Sequence, residues 1–411
     1  MSKAHWAILI DNNSQKQFLI DSLLQGNVPT TFESLKPQKG ALFSKLALEA
    51  FIDEEERHGR KIINSKTAQL LKTMSSGEQK KALLAHILKQ HPDFIILDNP
   101  FDNLDSDAQK ALRKKLQAIA DTTSLIQIAS RKNDLLPFIH TIAQLEGKLL
   151  VPVNEKEVGS NRVMPKTFQG TIPTPLQPIE FEGEALIELK NVSVSYSGKP
   201  ILNNINWTIN KGSFWELRGK NGSGKTTILS MITGENPKGY GQELYIFGRK
   251  KGSGESVWDI KKRIGYFTPS MTDKFTGYHT VEHMVISGLH DSIGLYVTPT
   301  EAQIRLAKEW LQLIEMWHLK DTLYHDLSMG QKRLVMCIRA MIKHPVLLIL
   351  DEPTAGLDDT SAHLFVQLVN KFAKESASAI IFVSHRKERG LLPDRVYRLE
   401  KTNMGSVGKM V

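Results

Sequence analysis

Gly219-Lys220-Asn221-Gly222-Ser223-Gly224-Lys225-Thr226-Thr227 decides the reading of this chain. Gly219, Gly222 and Gly224 let the backbone turn its N–H groups inward, an arrangement that surrounds phosphate oxygens. The apolar-rich stretch Gly212–Arg218 predicts a short strand before the loop, and Thr226–Thr233 predicts a helix after it. That helix would add the positive end of its dipole. In such a loop Lys225 reaches the β- and γ-phosphates and Thr226 holds Mg²⁺. A second element of the same chemistry is the apolar run Leu347–Leu350 followed by Asp351-Glu352-Pro353. Asp351 is expected to complete the Mg²⁺ shell, and Glu352 to orient and deprotonate an attacking water.

Outward from these motifs the chain repeats itself. Met74–Asp105 aligns without a gap to Leu327–Asp358. Ser75 falls on Ser328, Gly77 on Gly330, His91-Pro92 on His344-Pro345, Asp98 on Asp351 and Asp105 on Asp358, each 253 positions apart. Two fused copies of one domain follow from this self-similarity. The expected organisation is a first copy over 1–150, a proline-rich tether over 151–184 and a second copy over 185–411. Pro152, Pro165, Pro173, Pro175 and Pro178 mark the tether, which reads as partly extended. Runs such as Leu347–Asp351 and Ile380–Ser384 have the length and continuity of buried parallel strands, and Gln331–Lys343 reads as a helix. The fold class is α/β: two tandem phosphate-loop domains, the first truncated.

Composition is consistent with this. The 411 residues are 41% hydrophobic and 24% charged, which excludes a disordered chain or a collagen-like fibre. A single cysteine, Cys337, excludes an intramolecular disulfide framework. No apolar run approaches the roughly 18 residues that span a bilayer, and Trp6–Ile10 is too short for a signal peptide. A cytoplasmic protein is expected, reaching the inner membrane only through a partner. The net charge of +9 would suit ATP phosphates as well as a polyanion. Arg249-Lys250-Lys251 and Lys261-Lys262-Arg263 have no interleaved aromatic residues, so a solvated surface is favoured over a nucleic-acid track. His279, His283 and His290 include one i,i+4 spacing, but no carboxylate-rich pattern or cysteine completes a metal site.

The motifs resemble those of the ATP-binding cassette (ABC) ATPase family over nearly all of 185–398. Leu327-Ser328-Met329-Gly330-Gln331 is similar to the family's signature sequence, and Ala355-Gly356-Leu357-Asp358 to its D-loop. His385 resembles the switch histidine that contacts the γ-phosphate, and Tyr196 stands where the family stacks an aromatic ring on adenine. The resemblance implies ATP and Mg²⁺ as cofactors, Gly219, Asn221, Gly222, Ser223, Gly224, Lys225, Thr226, Thr227 and Tyr196 as nucleotide contacts, and Glu352, His385 and Lys225 as catalytic groups. One departure stands out. The family has a glutamine after a strand such as Ile264–Phe267, where this chain has Pro269 or Ser270. That change bears on hydrolysis and on coupling to a transport partner.

The first copy has lost its own cradle. Residues 10–18 read IDNNSQKQF against GKNGSGKTT: Asn12, Ser14 and Lys16 match, while Ile10, Asn13, Gln15 and Gln17 replace the three glycines and the Mg²⁺-binding threonine. The catalytic glutamate position is Asn99, and the switch histidine position is Arg131. Lys16 precedes Ser75 by 59 positions, whereas Lys225 precedes Ser328 by 103. With its loop this close to residue 1, the copy is not expected to supply an adenine-stacking ring. It keeps a readable signature, Met74-Ser75-Ser76-Gly77-Glu78. In the resembling family two cassettes sandwich each ATP, the loop of one facing the signature of the other. The resemblance therefore implies intramolecular pairing and one competent site, with Ser75 and Gly77 contributed in trans; pairing of second copies from two chains is the competing arrangement.

Within the family, Val285–Tyr296 and the MSSGE form of the first signature resemble the tandem ATP-binding proteins associated with molybdate transport (the ModF/PhrA type), whose usual member has a fuller first cassette. This implies a transport-associated ATPase with membrane permease subunits as partners. The alternatives are an ATP-dependent conformational switch with slow hydrolysis and a ribosome-associated translation factor; the short proline-rich tether argues against the last.

Overall fold

The computed structural model describes residues 3–27, 29–36, 38–63, 69–153, 168–273, 275 and 277–411. The chain divides into two compact units, Met1–Met164 with Gly356–Thr360, and Pro165–Ala355 with Ser361–Val411.

The first unit holds a six-stranded sheet built from β1 (Trp6–Leu9), β2 (Gly40–Phe43), β3 (Phe94–Asp98), β4 (Ser124–Ala129), β5 (Thr141–Glu146) and β6 (Leu149–Val153). Its order is β2-β3-β4-β1-β5-β6, parallel except for the β5–β6 hairpin. Successive residues feed opposite faces, as strand geometry requires. Ile95 and Leu97 pack with Leu83, Leu84 and Leu116 on one side, while Phe94 and Ile96 pack with Leu19, Leu23 and Phe32 on the other. Burial on both faces explains why β3 reads as a continuous apolar run.

The second unit carries β7 (Ala185–Tyr196), β8 (Lys199–Asn210), β9 (Phe214–Gly219), β10 (Glu243–Ile246), β11 (Arg249–Lys250), β12 (Ile264–Phe267), β13 (Leu347–Asp351), β14 (Ala379–Ser384), β15 (Arg395–Thr402) and β16 (Gly405–Met410). Their order is β11-β10-β7-β8-β16-β15-β9-β14-β13-β12. The last six, taken from the β12 edge, repeat the order of the first sheet element for element. Four more strands, antiparallel to one another, extend the second sheet beyond β16. Among the described residues the first sheet has no counterpart of these four strands. Two of the four, β10 and β11, lie between the loop and the signature, so the shorter loop-to-signature span reflects lost structure rather than tighter winding.

Backbone details repeat as well. His91 and His344 both have φ of 47°, and the residues just after β3 and β13, Asn99 and Glu352, both sit left-handed at 43° and 49°. Asparagine tolerates that region, whereas glutamate there costs on the order of 1 kcal/mol. The strain is kept in the second copy and relieved in the first.

The predicted tether differs from what the structure shows. Its start, including Pro152, belongs to β6, where Pro152 lies opposite Ala143 on an edge strand that has no need of its N–H. Pro165 and the stretch 154–167 lie outside the described residues. Residues 168–184 form no helix or strand, yet they are held: the Ile172 N–H donates to the Glu375 carboxylate at 2.8 Å, and the His344 ring meets the Pro173 carbonyl at 2.7 Å. No helix among the described residues is long and apolar enough to cross a membrane.

Candidate functional site

β9 delivers the chain to the loop 219–224, and Lys225 opens the helix Lys225–Ile232. Two glycines of the loop need their freedom here. Gly224 has φ of +91°, and a Cβ on it would come within 2.5 Å of the Leu202 side chain; Gly219 would set a Cβ 2.4 Å from Ser223 Oγ. Gly222 is also left-handed, at +70°. Lys225 folds back over the loop, donating to the carbonyls of Gly219 at 2.9 Å and Lys220 at 3.3 Å, with its Nζ 3.9 Å from Glu352 Oε1. Thr226 and Thr227 follow in the first turn.

Glu352 leaves the end of β13, its N–H held by the Val383 carbonyl of β14 at 3.0 Å. That register brings it beside the residues after β14: His385 Nδ1 stands 3.4 Å from Glu352 Oε1. Burial pushes the Glu352 carboxyl up, but contact with His385 and the charges of His385, Lys225 and Arg386 outweigh it, so Glu352 stays below the usual range. Its neighbour behaves oppositely. Burial, then the Glu352 charge, raise Asp351 to about 6, and Lys225 only partly offsets them. An acid raised by a buried like-charged neighbour is one that a cation would relieve. Ser223 Oγ, buried in the loop, has no hydrogen-bond partner among the described residues. Donors, a threonine, an under-compensated acid and an orphaned hydroxyl together are chemically suited to a phosphate–divalent cation pair, and Thr226 and Asp351 are the residues that could hold the cation.

Tyr196 ends β7 at the tip of the β7–β8 hairpin, opposite Lys199. The same hairpin supplies Ile201 and Leu202, which touch Gly224, so the ring belongs to the neighbourhood of the loop. Its hydroxyl accepts from Asn236 at 2.7 Å, and Lys238 lies over the ring at 5.7 Å. At the other edge, β12 runs into Thr268 and the short helix Pro269–Asp273, with no glutamine at the turn. Two residues of the switch segment escaped the sequence reading. Thr354 Oγ1 donates to buried Glu388 at 2.6 Å, tying the segment after Glu352 to the segment after His385, and Arg386 bonds the His385 ring. The run Ser384-His385-Arg386-Lys387-Glu388 was their only sequence signal.

The corresponding place in the first unit is built differently. Gln15 has φ of −84°, not the left-handed value of Gly224. The loop's amides are spent internally: Asp11 N–H on Ser14 Oγ at 2.9 Å, Asn13 N–H on the Asp11 carboxylate at 2.9 Å, and Gln15 N–H on the Gly147 carbonyl at 2.7 Å. Lys16 pairs with both carboxylate oxygens of Asp98 at 2.9 and 3.0 Å, and Asn99 Oδ1 accepts from the Ser130 N–H. Both signatures are intact as local structures. Ser75 and Ser328 cap their helices, each in a reciprocal pair with the residue three positions on, Glu78 and Gln331.

Comparison with known proteins agrees with this architecture. The ABC transporter family profile matches residues 202–355. The ABC transporter ATP-binding protein ModF of Escherichia coli is 37% identical over 330 residues, covering 77% of this chain and 67% of its own length. An uncharacterized ABC transporter ATP-binding protein of Schizosaccharomyces pombe is 31% identical over 346 residues, covering 81% and 69%. Among solved structures, a model of ribosome-bound archaeal Pelota and ABCE1 superposes with a TM-score of 0.67 over 99% of this chain and 74% of that one, at 16% identity, which is a likeness of fold alone. By its relatives and by its phosphate loop, acid pair and signature, the chain belongs to the ATP-binding proteins of the ABC transporter family and is a P-loop ATPase of that class.

Proposed function

We propose that the chain is the ATP-hydrolysing component of a transport system, with one competent nucleotide site supplied by the second unit and a signature supplied by the first. The observation that carries this reading is the contrast between the loops: Lys225 faces Glu352 across a glycine loop, whereas Lys16 is consumed by Asp98 in a loop whose amides are already bonded. Lys225 neutralises phosphate charge, the loop amides orient it, and Tyr196 offers a face to adenine. Glu352, kept ionised, accepts the proton of the attacking water, and His385 contacts the terminal phosphate. Thr226 and Asp351 would hold Mg²⁺, which when bound would supply charge neutralisation at the phosphates. Ser75 and Gly77 complete the site in trans. Similarity to an ABC transporter ATP-binding protein supports a permease partner at the cytoplasmic face of the membrane; a molybdate-type oxyanion as cargo rests on the sequence resemblance of Val285–Tyr296 and the first signature.

A switch with slow hydrolysis is the second reading, favoured by Thr268-Pro269-Ser270 where the family has its glutamine. Two experiments separate these. Gly77→Asp should abolish turnover if the first signature completes the site; a Cβ there meets Ala108 at 3.4 Å, an ordinary contact, so the variant can fold. Unchanged turnover would instead indicate pairing of second units from two chains. Glu352→Gln, loaded with ATP, should co-purify with permease subunits; capture of ribosomes, or of nothing, counts against the transport assignment.

A further inference from the structure

The hairpin of β7 and β8 closes through Ser197-Gly198, both at positive φ, 48° and 77°. That turn follows the twist of two antiparallel strands and fixes the backbone next to Tyr196. The Tyr196 side chain stays 40% exposed, so packing alone does not set the direction of its ring. Asn236 supplies an anchor from just beyond the helix Lys225–Ile232. Its N–H donates to the Ser230 carbonyl at 3.0 Å, and its Oδ1 accepts from the Lys238 N–H at 3.0 Å. Only the amide oxygen can take that hydrogen, so the orientation of the Asn236 amide is decided. Nδ2 then gives one hydrogen to the Tyr196 hydroxyl at 2.7 Å and the other to Ser230 Oγ at 3.0 Å. Ser230 Oγ passes its own hydrogen to the Thr227 carbonyl at 3.1 Å. A continuous run of bonds therefore joins the Tyr196 ring to Thr227, in the first turn of the helix that follows the phosphate loop. Lys238 Nζ lies over one face of the ring at 5.7 Å, which leaves the opposite face for a base.

We propose that Asn236 is a positioning residue: it holds the Tyr196 ring in a fixed place relative to the phosphate loop, so that the base and the triphosphate of one nucleotide are met together. This rests on the reading of Tyr196 as the adenine platform, but it adds a determinant outside the loop, the acid pair and both signatures. A ring free to turn loses rotamer freedom when the base arrives, and a ring already bonded does not. The bond thus adds to ATP affinity without touching ATP.

The test is calorimetric titration of the full chain, in Mg²⁺, with two ligands: the non-hydrolysable β,γ-imido analogue of ATP, and inorganic triphosphate, which has no base. Asn236→Ala and Tyr196→Phe remove the two ends of one bond. Tyr196→Phe also leaves the ring and the turn Pro237–Gly239 in place, so it guards against a folding defect in the alanine variant. Each should weaken the analogue by about 3- to 10-fold, the usual worth of one hydrogen bond, and change triphosphate affinity by less than about 2-fold. The double variant should lose little more than either single one. Tyr196→Ala removes the ring and should weaken the analogue by about 10- to 10²-fold. Losses that add in the double variant, equal losses for both ligands, or native affinity in both single variants overturn the proposal. Native affinity for the analogue in Tyr196→Ala would be a separate failure: it removes the adenine platform itself, and the proposal with it.

Discussion

Lys16 Nζ lies 2.9 Å from Asp98 Oδ2, whereas Lys225, at the matching place in the second unit, bonds its own loop carbonyls and stands 3.9 Å from Glu352. One lysine is committed to an ion pair and the other is held over a glycine loop. Lys225→Ala is therefore expected to lower ATP turnover by about 10²–10³-fold, the usual effect of removing one donor to developing charge. Lys16→Ala should leave turnover within a factor of about two. Because Lys16 is about a third exposed, its pair with Asp98 should contribute no more than about 1 kcal/mol. Steady-state phosphate release from both variants, alongside urea unfolding, checks this; equal losses of turnover would show that the two loops work alike.

Glu352→Gln removes the proposed proton acceptor while keeping the shape of the side chain. The expected outcome is a fall in kcat of about 10²–10⁴-fold with ATP still bound. Single-turnover hydrolysis, run with enzyme in excess, reports the chemical step. A rate equal to that of the native chain would remove Glu352 from the mechanism.

His344 gives a pH dependence of stability. Burial lowers its pKa from 6.5, and the hydrogen bond to Pro173 only partly restores it. Between the folded and unfolded values the unfolded chain binds the extra proton, so stability rises with pH there. The contribution is complete above about 6.5 and is lost as pH falls toward the folded value. Acidification from pH 7.5 to roughly 5.5 should therefore cost the native chain more unfolding free energy than it costs His344→Asn. Asparagine also accepts the left-handed backbone of this position. Parallel slopes for the two proteins would remove His344 from the acid response.

The sequence carried the phosphate loop, the acid pair and the repeat because each is local: fixed residue types at fixed spacing, flanked by apolar runs of strand length. Leu347–Asp351 fell where expected, and the strand before the loop shifted only to Phe214–Gly219. The four added strands of the second sheet were not legible. β7 and β8 pair with repeated register shifts, and left-handed Asn191 and Asn204 interrupt any simple alternation. The β5–β6 hairpin was missed because Pro152 reads as a tether residue until an edge position excuses its missing N–H. The ion pair that occupies Lys16 joins residues 82 positions apart, and nothing local to either residue announces it. Arg386 and Glu388 lay in plain view beside His385, but their roles depend on which way the ring and Thr354 face.

Counting tightly bound ATP on Glu352→Gln by equilibrium dialysis tests the asymmetry most directly. One equivalent per chain, lost in Lys225→Ala and kept in Lys16→Ala, is the predicted result. Two equivalents, or one that survives Lys225→Ala and disappears with Lys16→Ala, would contradict it.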